Sequence, residues 1–180
     1  MDGVLRPSPA PYHTRPNPGP KAREDNSCEL PAPQSSTLAR MAEPYASTTE
    51  IDALVAAFNT AEIPPEAWNH RRHLTYAADV VYACADFVIS LATIRAGIHK
   101  FNALSGITST ATTGYHETVT HFWTRKIVDL LDPDDDRLAF VNRVVDHLGS
   151  GALVFEHYRH DTLMSPAARA AYVAPDLRPL

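Results

Sequence analysis

The sequence predicts an all-α protein: a single-domain bundle of about five helices with a disordered Pro-rich N-terminal tail. Two observations support the helices. Apolar residues recur at three- and four-residue steps along most of residues 46–180, and no segment alternates apolar and polar residues as strands do. Pro, Gly and capping residues separate the helical segments. At 180 residues the chain is long enough for one domain with its own core.

Residues 1–45 are predicted to form the disordered leader, and residues 46–180 the helical domain. Eight of the 15 prolines lie among the first 40 residues, where apolar residues are sparse and have no helical period. Such a segment buries too little surface to offset the entropy of ordering it.

Three helices are predicted before residue 105, over about 49–59, 65–84 and 85–104. Ser47 and Glu50 have the spacing of a capping box at the first start, and Gly106 is a natural stop for the third helix. The residues predicted to face inward are Ile51, Leu54, Val55 and Phe58, then His70, His73, Leu74, Ala77 and Val81, then Val88, Leu91, Ile94, Ile98 and Phe101.

Two further long helices are predicted, over about 115–131 and from an Asp cap at 134 or 135 to residue 148. Thr112 or Thr113 is the expected cap of the fourth helix. A short helical piece is expected at 152–158, and Ser165-Pro166 predicts a last helix at 167–172. The predicted inward residues are Val119, Phe122, Trp123, Ile127 and Leu130, then Leu138, Val141, Val144, Val145 and Leu148.

Composition excludes some partners. The net charge of −5 and the lack of a basic stripe argue against nucleic acid, and no apolar run is long enough to span a membrane. No secretory signal pattern is seen and only two cysteines occur, which predicts a cytoplasmic protein without a disulfide framework. An excess of 13 Arg over 3 Lys, with abundant Ala, Asp and Pro, suggests a GC-rich bacterial source.

Two polar motifs stand out on otherwise apolar helices. His70 and His73 are three residues apart, so one helix can present both imidazoles to one point. His116 and Glu117 begin the fourth helix but point about 100° apart, so one of them would face the histidine pair. Glu117 and His121, four residues apart, form an alternative facing pair. The simpler interpretation is that these groups are hydrogen-bonded at a helix–helix contact.

Imidazoles with a carboxylate are typical ligands of Zn, Fe, Ni or Mn, among which the sequence does not choose. Glu117 would then be a fourth ligand or a catalytic general base acting on metal-bound water. Arg71 and Arg72 are candidates for binding an anionic substrate group or are a solvated helix face. Tyr115 is a candidate substrate-binding residue or a core aromatic.

Three segments resemble a family of small, functionally uncharacterised bacterial proteins. They are Trp68-x-His70-x-x-His73-Leu74, Gly114 to Thr120 followed by Phe122-Trp123, and Ser165-Pro166-x-Ala168-Arg169 with Val173-x-Pro175-Asp176-Leu177. The resemblance implies an all-α fold and a shared polar set of His70, His73, His116 and Glu117, without His121, and supplies no reaction. Arg71, Arg72 and Asp79 depart from the family pattern.

Two functions remain open from the sequence. The first is a metal-dependent enzyme acting on a small molecule in bacterial metabolism, with His70, His73 and His116 as metal ligands. The second is a non-catalytic accessory subunit that binds and activates a partner biosynthetic enzyme. The sequence itself does not decide whether the protein is an enzyme.

Overall fold

A computed structural model describes residues 43–180, and the all-α prediction is confirmed. No strand occurs among the residues described. Most of the predicted leader lies outside them. The long helices are α1 (Thr48–Asn59), α2 (His70–Cys84), α3 (Phe87–Leu104), α4 (Glu117–Val128) and α5 (Arg137–Leu148). Two short helices, α6 (His160–Leu163) and α7 (Pro166–Ala170), and two 3₁₀ segments, Pro65–Ala67 and Gly151–Glu156, complete this part of the chain.

Helix α1 begins where the sequence predicts, but its cap differs. The Ser47 side chain makes no capping hydrogen bond. Glu50 Oε2 instead accepts a hydrogen bond from the backbone N–H of Ala46 at 3.1 Å. The helix buries Ile51 and Phe58, the two ends of its predicted apolar face.

Helix α2 begins at His70, later than predicted, because Pro65–Ala67 forms a separate 3₁₀ turn. Asn69 caps α2, and its Oδ1 accepts a hydrogen bond from the Arg72 N–H at 3.1 Å. At the other end Ala85 is left-handed, with φ +52°. This residue turns the chain into α3.

The core is centred on the Phe58 ring. Its ring centre lies 4.8 Å from that of Trp68, 4.9 Å from that of Phe101 and 3.9 Å from that of Tyr76. Gly97 allows this approach, because a Cβ at position 97 would overlap the Tyr76 hydroxyl. Helix α3 therefore reaches α2 and the ring cluster at a residue without a side chain.

The inward face of α3 differs from the prediction at one residue. Leu91, Ile94 and Phe101 are buried, whereas Val88 is 70% exposed. At 100° per residue, Val88 lies about 120° around the helix from Ile94, so the two cannot share a narrow face. The prediction that Val88 faces the core was wrong.

Gly106 ends α3, as predicted. Its φ is +69°, and the Ile107 N–H donates to the Asn102 carbonyl at 2.8 Å, the bond expected of a Schellman ending. The predicted threonine cap of α4 was wrong. Thr110 and Thr113 bond to each other at 2.8 Å, and α4 begins at Glu117 with His116 as its cap.

Helix α5 packs chiefly against α2 and buries Phe140, Val141, Val144, Val145 and Leu148. Asp136, rather than the predicted Asp134 or Asp135, caps it by accepting from the Ala139 N–H at 2.8 Å. Arg137 bonds Asp79 and Asp52, both at 2.6 Å, which gives Asp79 a structural role.

The C-terminal segment packs against α4 through α7. Ser165 Oγ accepts a hydrogen bond from the Ala168 N–H at 3.1 Å, which confirms the predicted cap of the last helix. That helix ends at Ala170, earlier than predicted. Among residues 43–180, no helix combines the length and the apolarity that crossing a membrane requires.

Candidate functional site

His70 and His73 lie in the first turns of α2 and bond to backbone carbonyls. His70 Nε2 donates to the Leu148 carbonyl at 3.0 Å, and its ring centre is 4.6 Å from that of Trp123. His73 Nδ1 donates to the Asn69 carbonyl at 2.9 Å. Burial lowers the pKa of His73 to about 4, against the opposing effect of that hydrogen bond. His73 is therefore a neutral packing residue at neutral pH.

His116 caps α4 and ties it to α6. Its Nδ1 accepts from the Val119 N–H at 3.3 Å, and its Nε2 donates to the Leu163 carbonyl at 2.9 Å. These two bonds define a neutral tautomer with the proton on Nε2. Burial lowers the pKa of His116, which favours the same neutral form. Neither ring nitrogen keeps a free lone pair for a metal ion.

The predicted ligand set does not come together in this arrangement. Among residues 43–180, no three His, Cys, Asp or Glu side chains are grouped so that they could hold a metal. His70 and His73 line a cavity of about 50 Å³ between α2, α3 and α4, whereas Glu117 lines a separate cleft. These donors do not fit a shared ion, and the metal itself stays a prediction.

The larger cleft has a volume of about 770 Å³. Its walls come from α3, the loop before α4, the start of α4, and the segment from α7 to Tyr172. The side chains that carry its chemistry are Arg95, His99, Tyr115, Glu117, Arg169 and Tyr172.

Glu117 is the centre of a hydrogen-bonded network in the cleft wall. Arg95 Nε donates to Glu117 Oε2 at 3.0 Å, and Arg95 Nη2 donates to Oε1. The Tyr115 hydroxyl donates to Oε2 at 2.7 Å. Such a two-point pair fixes the planes of both charged groups.

The network also fixes the protonation states. Burial would raise the pKa of Glu117, but the hydrogen bonds from Arg95 and Tyr115 and the charge of Arg95 lower it below its usual value. Burial, followed by the bond to Glu117, raises the pKa of Tyr115 to about 12. Tyr115 therefore stays a hydrogen-bond donor. Glu117 is an ionised carboxylate with both oxygens occupied, which is unfavourable for its predicted role as a general base.

Arg169 holds the loop that forms one wall of the cleft. Its guanidinium donates to four backbone carbonyls, at 3.1–3.3 Å. They belong to Ala111, Thr112, Gly114 and Tyr115. More than 50 residues separate these partners from Arg169, so no local spacing in the sequence signals the contact.

His121 lies beside the cleft and packs against aromatic rings. Its ring centre is 3.8 Å from that of Tyr172 and 5.0 Å from that of Phe87. Burial is the main cause that lowers the pKa of His121, against the opposing charge of Glu117. The alternative pair of Glu117 and His121 lacks a third ligand among the residues described.

The side chains of Arg71 and Arg72 both donate hydrogen bonds to backbone carbonyls of the protein. Arg71 Nη2 donates to the Glu43 carbonyl at 2.6 Å, and its guanidinium lies 4.5 Å from the Tyr45 ring centre. Arg72 Nη1 donates to the Ala67 carbonyl. Neither arginine lines the cleft or the small cavity, whereas Tyr115 does line the cleft.

No family model, curated protein or solved structure matches the chain. The family resemblance therefore stays a prediction, as do the bacterial source, the cytoplasmic location and the link to biosynthesis. The structure gives two of the resembling segments a shared role. Thr118 Oγ1 donates to the Ala171 carbonyl and accepts from the Val173 N–H, both at 3.0 Å, which joins the start of α4 to the C-terminal segment.

The residues that the sequence did not predict for the site are Arg95, His99, Arg169 and Tyr172. Arg95 and His99 share a face of α3, four residues apart, and that spacing was the only signal that could have paired them. Arg169 belonged to a resembling segment but had no role assigned. All four residues line the same cleft: Arg95 and His99 from successive turns of α3, Arg169 from α7, and Tyr172 from the segment after α7.

Proposed function

We propose that this protein binds a small organic molecule in the cleft between α3, α4 and α7. The observation that carries the proposal is the Arg95–Glu117–Tyr115 network in the cleft wall. A volume of about 770 Å³ lies in the range of small-molecule sites. Such sites combine apolar walls with a few fixed polar groups, which is the composition of this one.

The proposed roles follow from the contacts. Glu117 is a positioning residue, because it holds the Arg95 guanidinium and the Tyr115 hydroxyl in one geometry. Ring faces for the ligand come from His99 and Tyr172, which are exposed and line the cleft. Groups held in place before binding lose little conformational entropy when a ligand arrives.

Binding can be tested by nuclear magnetic resonance with a library of small ring-containing polar compounds. We expect compounds that bind to shift backbone amide signals of residues lining the cleft. Ala170→Trp should abolish these shifts, because Ala170 is exposed in the cleft wall. Ala167→Trp is the matched control, since Ala167 is exposed on the same helix and does not line the cleft.

Two results would overturn the proposal. One is that no compound of the library shifts any cleft amide. The other is that the shifts are the same in Ala170→Trp as in the parent protein. Retained dispersion of the amide signals in both variants would show that each is folded.

The metal-dependent enzyme has its own test. Elemental analysis of protein purified without a His tag would measure Zn, Fe, Ni and Mn together. A stoichiometric content that falls on His116→Ala would support the predicted ligands. It would also require a rearrangement of His116, whose two nitrogens are bonded to Val119 and Leu163.

A protein partner is the second candidate, in line with the predicted accessory subunit. It is favoured by apolar side chains that α3 leaves in solvent, with Val88 70% and Ile89 57% exposed. A photo-crosslinking amino acid at position 88 should give one defined adduct in cells, whereas the same group at exposed Asp161 should not. Equal, diffuse labelling from both positions would count against a partner on this face.

A further inference from the structure

The charges that line the cleft do not cancel. Two arginines, Arg95 and Arg169, oppose one carboxylate, Glu117, which leaves a formal charge of +1 with histidine counted neutral. The whole chain carries −5. The cleft is therefore a positive site on an acidic protein, and clefts with one net sign of charge concentrate ligands of the opposite sign.

The excess charge belongs to Arg169. Arg95 is paired with Glu117, whereas Arg169 forms no ion pair with any residue of 43–180. Its N–H groups donate to carbonyls, which satisfy hydrogen bonds but carry no net charge. A carboxylate in the cleft would supply the missing negative charge.

Hydrogen-bond donors remain beside this charge. Arg95 uses Nε and Nη2 for Glu117, so the pair does not use Nη1. Ser109 Oγ accepts from the Tyr115 N–H at 3.1 Å, which leaves its own hydroxyl proton to donate. Both residues line the cleft. Hydrogen bonds from such donors to an ionised acceptor are stronger than those between neutral groups.

The same walls offer aromatic surface. The His99 ring centre is 4.3 Å from that of Tyr115, and Tyr172 is 42% exposed where it lines the cleft. Rings of this kind stack on flat ligands. A cation would also meet ring faces, but the net positive charge of the lining disfavours it.

We infer that the cleft selects a small monoanionic carboxylate that carries a planar ring. The single excess positive charge matches one carboxylate, the free donors bind its oxygens, and the rings bind the flat part of the ligand. This inference rests on the proposed binding function and names the chemical class of its ligand.

Three probes that share a phenyl ring test the charge. Benzoate, benzamide and benzylamine are negative, neutral and positive at pH 7, and each is titrated into the full chain while the amide signals of the cleft are followed. We expect benzoate to bind about tenfold more tightly than benzamide, and benzylamine to bind most weakly. Added salt should weaken the binding of benzoate and leave the binding of benzamide unchanged.

Two variants change the cleft charge in opposite directions. Glu117→Gln raises the cleft charge to +2 and, relative to benzamide, should strengthen the binding of benzoate and weaken the binding of benzylamine. Arg95→Gln lowers the cleft charge to 0 and should weaken the binding of benzoate relative to that of benzamide. A variant that only damaged the cleft would weaken the binding of all three probes alike. A change that depends on the charge of the probe therefore distinguishes an electrostatic effect from misfolding.

The outcomes separate the two proposals. If benzamide or benzylamine binds at the cleft as tightly as benzoate, the anion inference is overturned and the binding function stands. If none of the three probes shifts a cleft amide, the anion inference is overturned, whereas the binding function is overturned only if no compound of the library shifts a cleft amide either. If benzoate is preferred but neither variant changes that preference, the assignment of the charge to this cleft is overturned.

Discussion

Glu117 shows how a single side chain can define a cleft without contributing much stability. Its side chain is 13% exposed, while that of its partner Arg95 is 41% exposed. A pair open to solvent on one side is worth about 1 kcal/mol or less, because water and salt screen it. The main effect of the pair is geometric, since it holds the guanidinium and the Tyr115 hydroxyl where a ligand would meet them.

Gly97 gives a sharper prediction at the residue scale. Gly97→Ala should destabilise the protein by about 1–3 kcal/mol, because the new Cβ would overlap the Tyr76 hydroxyl in a packed core. The gain in helix propensity, about 1 kcal/mol, offsets only part of this cost. Urea unfolding followed by circular dichroism measures the change.

Gly151→Ala is the control for that substitution. The nearest atom to a Cβ at position 151 is 3.8 Å away, an ordinary contact, so its unfolding free energy should change by about 0.5 kcal/mol or less. Equal stability of the two variants would show that the α2–α3 contact is looser than the structure indicates.

At the scale of elements, the start of α4 depends on the C-terminal segment. His116 bonds to Leu163, Thr118 to Ala171 and Val173, and Arg169 to the loop before the helix. These contacts satisfy backbone groups of the C-terminal segment and of the loop before α4, while the Val119 N–H that the helix leaves free at its start is bonded by His116 Nδ1. The segment after α6 is therefore part of the cleft rather than an appended tail.

The cap of α4 is testable by substitution. His116→Ala should lower the unfolding free energy by about 1–2 kcal/mol, because it removes the cap on the Val119 N–H and the bond to the Leu163 carbonyl. The unfolding free energy of His116→Asn should lie between those of the parent protein and His116→Ala, since Asn can cap a helix but is too short to bond Leu163. An unchanged unfolding free energy in His116→Ala would contradict the capping role.

At the scale of the whole molecule, burial of ionisable groups makes the fold sensitive to acid. Burial lowers the pKa values of His73, His116 and His121, so the unfolded chain takes up protons before the folded one. The lowered pKa of Glu117 acts in the same direction, because its ionised form is the one that is stabilised in the fold. Stability should therefore fall as the pH falls below neutrality.

His73 provides the pH window. Its folded pKa of about 4 lies below the ordinary value of 6.5, so its contribution is complete above pH 6.5 and is lost as the pH falls from 6.5 to 4. The loss should reach about 3 kcal/mol, at about 1.4 kcal/mol for each pH unit between the two values. Urea unfolding at pH 7.5, 5.5 and 4.5 would measure it.

A matched variant isolates this residue. His73→Gln removes the ionisable group, so its unfolding free energy should change less with pH over the same range. His147→Gln is the control, because His147 is an exposed histidine and its removal should leave the slope unchanged. The role of His73 would be contradicted if both variants kept the slope of the parent protein.

The sequence alone determined the helices, because the period of apolar residues reflects which side of each helix is buried. Phe58, Ile127 and Val144 were all placed correctly in the core. Local chemistry also identified Gly106 as the stop of α3 and Ser165 as the cap at the start of α7. Starts were less certain, since Thr112, Thr113, Asp134 and Asp135 could each cap a helix on local grounds.

Only the tertiary structure decided what the polar residues do. The sequence grouped His70, His73, His116 and Glu117 by type and by helix face. In the structure α4 begins two residues later than predicted, so His116 is its cap, and Glu117 lines a different cavity from the histidine pair. Arg95 bonds Glu117 from 22 residues away in the sequence, and Arg169 lines the same cleft from 52 residues away. No local pattern in the sequence encodes contacts over such separations. Partners of polar groups are set by packing between elements, whereas helices are set by periodicity within one element.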